Sequence, residues 1–296
     1  MTTVFFHVDA DDLWSYAREY GLKRADLRNS IYDTAMPKMM TAFTSADLKA
    51  TFFMVADDLA GNKAVRDFCS RAIENGHEIA NHSLTHYGFI DESRINYEIE
   101  KSHDIISSAC NMKPCGYRSP GYNISNGLFN ALAKHEYTYD SSVLPGWGTA
   151  LMRINRYPHK SKFKKSLGSW RDLLAGANIR SVRTDYGSLV EIPVSITPFL
   201  RMPFYPTMAY AFGLKYIKLC LALVKRARPQ YCLFLFHAVD LMDLTDSAFS
   251  NLIFARWPLD QKRELFRYYL KEASLIGPNQ LTRDYVTSSG HMSEDT

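Results

Sequence analysis

The chain of 296 residues is 46% hydrophobic and 22% charged, which is typical of a folded protein with a substantial core and excludes a disordered or fibrous chain. Lysine and arginine total 35 against 31 acidic residues, and the net charge of +4 is too small to predict nucleic acid as a partner. The five cysteines form no Cys-x-x-Cys pair, so neither a disulfide framework nor a thiolate zinc site is expected.

Short apolar, β-branched or aromatic runs alternate with longer segments of helical character along the chain. The predicted strands are Val4–Val8, Ala50–Val55, His77–His82, Gly116–Arg118, Tyr137–Ser141, Leu189–Ile196 and Tyr231–His237. The predicted helices are Met36–Leu48, Lys63–Asn75, Glu92–Cys110, Gly127–Lys134, Met208–Arg226 and Leu259–Ser274. Strands separated by helices imply right-handed crossovers and a mostly parallel sheet. We therefore predict an α/β fold, a distorted (β/α) barrel of about seven parallel strands in a single domain.

We expect this domain to cover residues 1–286, followed by a flexible polar tail at 287–296. Residues 144–188 interrupt the alternation and predict a basic surface insertion. It contains a basic stretch with aromatic side chains between the basic ones, formed by Arg153, Arg156, His159, Lys160, Lys162, Lys164, Lys165 and Arg171. A solvated loop is the ordinary interpretation, and a surface that meets the phosphate of a carrier lipid or of a bilayer is the alternative.

The chain begins without a basic segment followed by a cleavage site, and it contains no run of uncharged apolar residues long enough to span a bilayer. We therefore expect a cytoplasmic protein. The predicted helix Met208–Arg226 carries an apolar stripe with lysines elsewhere. Core packing is its ordinary use, and peripheral contact with the inner face of a membrane is the alternative.

Carboxylates and histidines follow two of the predicted strands, at the sheet edge where parallel α/β folds carry their sites. Asp9, Asp11 and Asp12 follow the first strand, and three close negative charges repel one another unless a cation or an arginine neutralises them. His82 and His86 follow the third strand, and on one helical turn this spacing lets both imidazoles hold one ion. Two imidazoles with one carboxylate form the ligand set of a catalytic zinc site. We interpret these residues as a metal site rather than as a solvated turn and a chance pair.

Three further strand ends carry candidate residues. Arg118 lies in Tyr117-Arg118-Ser119-Pro120-Gly121-Tyr122, which is either a tight turn or a partner for the surplus carboxylates. Asp140 opens a segment that would ordinarily be a helix or turn cap. His237 ends a buried apolar strand and is a candidate general acid, although a histidine there is usually a core residue.

Taken in chain order, these five motifs resemble those of the polysaccharide deacetylases of the NodB homology type, carbohydrate esterase family four. The resemblance covers about Val4 to Asp240 and is specific for the His-x-x-x-His and Arg-x-Pro-Gly motifs and for the strand-ending histidine. The first motif is Asp-x-Asp where many members have Thr-Phe-Asp-Asp-Gly. That form looks more like the branch that acts on lipid-linked or surface amino sugars.

The resemblance implies that Asp11, His82 and His86 bind a divalent metal. Zn²⁺ is the first choice, and Co²⁺, Ni²⁺ or Mn²⁺ would suit the same ligands. Asp12 is an alternative ligand, although the two-residue period of a strand, which places Asp9 and Asp11 on one face, favours Asp11.

The resemblance also implies the catalytic roles. Asp9 would be the catalytic base, held in place by Arg118. His237 would be the general acid, tuned by Asp140. Backbone N–H groups near Gly121–Tyr122 would bind the substrate oxyanion.

The implied reaction is hydrolysis of an N-acyl group, acetyl or formyl, from an amino sugar of a surface polysaccharide or of a glycan on polyprenyl phosphate. Two alternatives also use Asp-x-Asp: a haloacid-dehalogenase-like phosphatase and a nucleotide-sugar glycosyltransferase. A phosphatase of this type has Thr or Val at the position of Leu13 and does not use the histidine pair. In the glycosyltransferases the motif follows a complete nucleotide-binding half of the protein, whereas here it follows the first strand. An inactive carbohydrate-binding relative would need neither Asp9 nor His237. Released acid, phosphate or nucleotide distinguishes the enzyme classes.

Overall fold

The strands among the residues that the structure describes form one mixed sheet. The computed structural model describes residues 1–19, 27, 30–88, 91–147, 173–244, 249–250 and 252–289. The strands within these ranges are β1 (Thr3–Asp9), β2 (Thr51–Met54), β3 (Glu78–Asn81), β4 (Gly116–Tyr117), β5 (Tyr139–Asp140), β6 (Arg180–Thr184), β7 (Gly187–Glu191) and β8 (Tyr231–His237). β1 is an almost continuous run of apolar residues and is buried nearly throughout, as is typical of a parallel strand covered on both faces.

The strand order is β6-β7-β5-β4-β3-β2-β1-β8, and every neighbouring pair is parallel except β6 with β7. Seven parallel strands thus follow one another as in a (β/α) barrel. A side-chain hydrogen bond joins the segment after β7 to β8: the main-chain N–H of Leu233 donates to Ser195 Oγ (2.8 Å). The predicted distorted barrel is confirmed. The assignment of residues 1–286 to a single domain stays a prediction.

The helices pack around this sheet. Those among the described residues are α1 (Leu13–Glu19), α2 (Ala35–Ser45), α3 (Ala56–Leu59), α4 (Lys63–Glu74), α5 (Glu92–Cys110), α6 (Asn126–Lys134), α7 (Pro206–Phe212), α8 (Leu214–Ala227), α9 (Leu259–Ile276) and α10 (Thr282–Ser288). Short 3₁₀ turns cover Pro120–Tyr122, Ala238–Leu241 and Ile253–Arg256. Side-chain caps begin several helices: Asn62, Asp91 and Ser125 each accept a hydrogen bond from a main-chain N–H of the first turn.

Three sequence predictions need correction. The predicted insertion includes β6, an edge strand antiparallel to β7 whose residues are alternately half-buried and exposed, so its apolar signal is weak. The predicted helix Met208–Arg226 is two helices, because Gly213 adopts φ 82° between them. The predicted tail begins too early, since α10 extends to Ser288. The basic stretch from Arg153 to Arg171 and residues 290–296 lie outside the described residues.

The apolar stripe of α8 packs mainly into the core. Ile217, Leu221 and Val224 are buried, as the ordinary interpretation predicted, whereas Leu214 is exposed. Among the described residues, no helix has both the length and the apolar character needed to cross a bilayer.

The register of the strands brings the candidate residues to one edge of the sheet. Asp9 is the register partner of His237 across β1 and β8. Asn81, one residue before His82, pairs with Tyr117, one residue before Arg118. The carboxyl ends of the parallel strands therefore present these side chains together.

Candidate active site

Three side chains converge on one point above the ends of β1 and β3. Asp11 Oδ1 lies 3.1 Å from His82 Nε2 and 3.0 Å from His86 Nε2. The three candidate ligand atoms lie within 4.8 Å of one another, and all three residues are buried. One carboxylate and two imidazoles at this separation can share a single divalent cation.

The hydrogen bonding of His82 fits a metal ligand. Its Nδ1 lies 2.7 Å from the carbonyl oxygen of Arg118, which can only accept, so Nδ1 carries the proton. In the neutral ring, Nε2 then presents a lone pair to the Asp11 carboxylate, an arrangement that requires a cation or an additional proton between them. A ligand histidine whose other nitrogen donates to a backbone carbonyl is typical of metal sites.

The electrostatics of the cluster also favour positive charge. Burial by itself lowers the pKa of His82, but the negative charges of Asp9 and Asp11 outweigh it and raise the pKa above its ordinary value. Burial acts to raise the pKa of Asp11, but His86 and His82 hold it well below the ordinary range. Asp11 is thus a carboxylate at neutral pH, in surroundings that attract a cation.

The loop that carries the two histidines is not helical, contrary to the prediction. Ser83 and His86 have positive φ values of 72° and 52°, which a helix does not allow. Ser83 Oγ accepts the main-chain N–H of His86 (3.0 Å), and Arg18 donates to the carbonyl oxygens of Thr85 (2.9 Å) and His86 (2.6 Å). The histidines therefore converge because a hydrogen-bonded turn holds them, not because a helical period aligns them.

Asp12 has a different function from Asp11. Its Oδ1 accepts hydrogen bonds from the main-chain N–H of Leu13 (2.7 Å) and from Ser30 Oγ (2.5 Å), so it caps the start of α1. The strand period cited for choosing Asp11 does not apply, because β1 ends at Asp9. The geometry nevertheless places Asp11, and not Asp12, with the two histidines.

Asp9 and Arg118 form a buried ion pair next to this cluster. Arg118 Nη1 donates to Asp9 Oδ1 (2.8 Å), and both side chains are almost fully inaccessible to solvent. Arg118 also donates through Nε to the carbonyl oxygen of Ser141 (2.8 Å) and through Nη2 to Ser141 Oγ (2.7 Å) and His7 Nδ1 (2.6 Å). Arg118 therefore holds one oxygen of Asp9 in a fixed position.

His237 lies on the other side of Asp9. Its Nε2 is 3.8 Å from Asp9 Oδ2, beyond hydrogen-bonding distance, and its side chain is 17% exposed. Asp240 Oδ2 accepts the main-chain N–H of His237 (2.8 Å), and Asp240 Oδ1 accepts from the hydroxyl of Tyr210 (2.9 Å). Asp9 and Asp240 are thus the carboxylates placed beside His237.

The predicted partnership of Asp140 with His237 does not match this geometry. Asp140 accepts the hydroxyl of Ser142 at Oδ1 (2.7 Å) and the main-chain N–H of Ser142 at Oδ2 (3.1 Å). Ser142 Oγ in turn accepts the main-chain N–H of Ser119 (2.8 Å), the residue after Arg118. Asp140 therefore supports the turn that follows Arg118, and Asp240 stands where Asp140 was expected.

The turn at Gly121–Tyr122 lies beside the ion pair. Both residues have positive φ, 67° and 59°, and the main-chain N–H of Tyr122 donates to the carbonyl oxygen of Ser119 (3.0 Å). Gly121 suits such a conformation because it has no side chain. Since the amide of Tyr122 already donates within the turn, the amide of Gly121 stays the candidate for the predicted oxyanion donor.

Comparisons with known proteins agree with this site. A family model described as polysaccharide deacetylase matches residues 29–139, a region that contains His82, His86 and Arg118. Over 199 residues the chain is 25% identical to a peptidoglycan deacetylase of Helicobacter pylori, an alignment that covers 65% of this chain and 64% of that protein. Over these regions the chain is similar to the polysaccharide deacetylases.

Solved structures support the fold of this protein. A structure from Mycobacterium smegmatis, assigned to the polysaccharide deacetylases, has a TM-score of 0.57 at 16% identity and covers 95% of this chain and 94% of that one. The structure of Puue allantoinase has a TM-score of 0.58 at 12% identity and covers 100% and 92%. At these identities the likeness concerns the fold. The chain spans less than two thirds of the length of the Helicobacter pylori relative.

Several residues of the candidate site were not predicted from the sequence. They are His7, Tyr16, Arg18, Ser141, Ser142, Glu191 and Asp240, and each supports another site residue by a hydrogen bond or by close packing. Two of these residues could have been identified from their positions in the sequence. His7 stands two residues before Asp9 on the same strand, and Asp240 stands three residues after His237, where an acidic side chain can reach back to the strand end.

Asp140 and Glu191 form a buried pair of acids behind the site, and this pair predicts a pH dependence of stability. Burial and then the charge of Asp140 raise the pKa of Glu191 well above its ordinary value, and burial raises the pKa of Asp140 as well. An acid whose pKa is raised by folding contributes most to stability below its unfolded pKa, about 4, and this contribution is lost as the pH rises. We expect Glu191→Gln to show a smaller loss of unfolding free energy between pH 5 and pH 8 than the parent protein, measured by urea unfolding.

Glutamine at this position keeps the oxygen that accepts the main-chain N–H of Val143 (3.0 Å), so the loop should remain in place. Glu264→Gln on the exposed face of α9 is the matched control and should leave the pH slope unchanged. A steeper loss of stability in Glu191→Gln would show that the pair does not hold a proton.

Proposed function

We propose that this protein is a divalent-metal-dependent hydrolase that removes an N-acyl group from an amino sugar. The observation that carries the proposal is the convergence of two sets of side chains at one sheet edge. One set, Asp11, His82 and His86, has the composition of a metal site. The other set, the Asp9–Arg118 pair with His237 beside it, has the composition of a proton-transfer site.

Asp11, His82 and His86 would hold the cation through one oxygen and two nitrogens. Zn²⁺ is the first choice for this donor set, and Co²⁺, Ni²⁺ or Mn²⁺ would also suit it. When bound, such an ion acts as a Lewis acid and lowers the pKa of water from 15.7 to about 7. The remaining steps belong to the residues of this chain.

Asp9 is suited to act as the base. Arg118 holds Oδ1 by a charged hydrogen bond, which leaves Oδ2 facing the side of the site where His237 lies. Burial of the pair excludes bulk water, so the carboxylate acts on a water molecule admitted with the substrate. Asp9 would remove a proton from that water as its oxygen attacks the acyl carbon.

His237 is suited to act as the acid. It would give a proton to the amide nitrogen as the carbon–nitrogen bond breaks, so that one water yields a carboxylic acid and a free amine. The main-chain N–H of Gly121 would donate to the oxygen of the acyl group as it gains negative charge.

We further propose a glycan substrate, with acetyl as the first choice of acyl group. The Helicobacter pylori relative is a peptidoglycan deacetylase, which supports an N-acetylated glycan. The Asp-x-Asp form of the first motif supports an amino sugar carried on polyprenyl phosphate or in a surface polysaccharide. The match to the polysaccharide deacetylase model does not favour the phosphatase and glycosyltransferase alternatives.

The test is to identify the released product. Metal-loaded protein would be incubated with peptidoglycan strands, with N-acetylated oligosaccharides and with N-acetyl and N-formyl amino sugars on polyprenyl phosphate. We expect acetate or formate and an equal amount of free amine, abolished by a chelator and restored by Zn²⁺. Release of phosphate or nucleotide, or no acid from any of these substrates, would contradict the proposal.

A lipid-linked substrate would bring the protein to the inner face of a membrane, and we propose such peripheral contact. The solvent face of α8 carries Leu214 and Leu219 together with Lys215 and Lys218, a combination that suits an anionic bilayer surface. We expect binding to vesicles containing anionic lipid that weakens as salt is added. Absence of binding at low ionic strength would remove this part of the proposal.

A further inference from the structure

Arg118 is held by acceptors on three sides, and one of them has no role in the reaction proposed above. Its Nη2 donates to His7 Nδ1 at 2.6 Å, while Nη1 donates to Asp9. We propose that His7, anchored by Thr282, is a positioning residue that fixes the guanidinium of Arg118 and thereby the catalytic orientation of Asp9. This inference rests on the proposed function, because it takes Asp9 to be the base.

The proton positions follow from the donors and acceptors alone. A guanidinium can only donate, so His7 Nδ1 must accept and cannot carry a proton. The proton of the neutral ring therefore lies on Nε2, which is 2.7 Å from Thr282 Oγ1 and donates to it. Burial, and then the charge of Arg118, keep the pKa of His7 well below its ordinary value, which agrees with a neutral ring. A single tautomer of His7 thus satisfies both neighbours.

The position of His7 in β1 explains its influence on Asp9. Residues two apart in a strand point to the same face, so His7 and Asp9 both face the barrel interior, where Arg118 lies between them. The guanidinium is planar, so fixing Nη2 fixes the direction of the Nη1–H bond to Asp9. An apolar side chain at residue 7 would leave one buried N–H of Nη2 without an acceptor, and the contacts with Ser141 and Asp9 alone would hold the guanidinium less firmly.

The anchor comes from the far end of the chain. Thr282 is the first residue of α10 and is fully buried. The segment before it is tied to β1 by two main-chain hydrogen bonds, from Val4 N–H to Pro278 (2.8 Å) and from Gln280 N–H to Val4 (3.1 Å). These hydrogen bonds fix the position of the Thr282 hydroxyl relative to β1. A rotation of the His7 ring would therefore break its hydrogen bond to Thr282.

The test compares variants that remove or keep each hydrogen bond. His7→Phe removes the acceptor for Arg118, His7→Asn keeps an oxygen near the position of Nδ1, and Thr282→Val removes only the anchor. We expect His7→Phe to lower kcat by about 10- to 100-fold with KM and bound metal within about twofold of the parent. His7→Asn should recover most of that loss, and Thr282→Val should lower kcat by less than His7→Phe does. Thr287→Val, exposed on the same helix, is the control and should leave kcat unchanged.

A second measurement does not depend on activity. Nitrogen-15 NMR of the imidazole should show His7 in the Nε2-protonated form and without titration between pH 5 and pH 8, and Thr282→Val should shift the Nε2 signal. A proton on Nδ1, or parental kcat in a folded His7→Phe protein, would overturn the inference. If His7→Phe does not fold, the kcat and Nε2 signal of Thr282→Val decide the matter. If the parent protein releases no acid from any substrate, the proposed function fails, and the NMR result still reports whether the His7 contacts exist.

Discussion

Replacing His82 by alanine is expected to abolish both metal binding and hydrolysis. The change removes one of three ligand atoms that lie within 4.8 Å of one another, and Asp11 and His86 alone cannot complete the site. Loss of a supporting residue alone typically costs 10- to 100-fold in metal affinity, so loss of a ligand should cost at least about 100-fold. Metal content after dialysis, together with acid release from the substrate, measures both effects.

The matched control for this variant is His135→Ala. His135 follows α6 and contacts the ring of His103, away from the cluster, so its removal should leave metal content and rate at parental values. A His82→Ala protein that retained one equivalent of metal with parental affinity would show that His82 is not a ligand. Activity without metal in this variant would contradict the proposed chemistry altogether.

Replacing Asp9 by asparagine should separate metal binding from catalysis. The metal ligands are unchanged, so metal content should stay at the parental value. The amide of asparagine is a very weak base, and loss of a general base typically lowers kcat by about 10²- to 10⁴-fold. The variant should also be less stable by about 3 kcal/mol, because Arg118 would remain buried without its counter-charge. Steady-state kinetics and urea unfolding measure these two effects.

Asp67→Asn is the control for Asp9→Asn, since Asp67 pairs with Lys63 on an exposed turn of α4. A surface pair of this kind contributes little to stability, so both kcat and the free energy of unfolding should change little. Full activity of Asp9→Asn would mean that another group takes the proton from water. Loss of metal in Asp9→Asn would instead place Asp9 among the ligands.

The sequence was sufficient to predict which strand ends meet. Asp9, His82, Arg118 and His237 each follow or end an apolar run, and in a parallel sheet the ends of such runs lie along one edge. The alternation of strands and helices was enough to predict the barrel, because β1, β2, β3 and β8 are buried runs with clear boundaries. These predictions depend only on local pattern and on the rules of parallel sheets.

The details that the sequence did not predict depend on turns and on distant contacts. The partner of His237 is decided by the 3₁₀ turn at Ala238–Leu241, which brings Asp240 back to the strand end. The histidine pair converges through the positive φ of Ser83, for which the sequence carries no reliable sign. The contact between His7 and Thr282 joins residues 275 positions apart, and no local pattern indicates it.

The strand order also bears on how the site assembles during folding. Asp11, His82 and His86 all belong to the first third of the chain, on segments linked by the neighbouring strands β1, β2 and β3. The pairing of Asp9 with His237 requires β8, which is distant in the chain, and contacts of long sequence separation generally form slowly. In refolding from urea, capacity for metal should therefore return before turnover does.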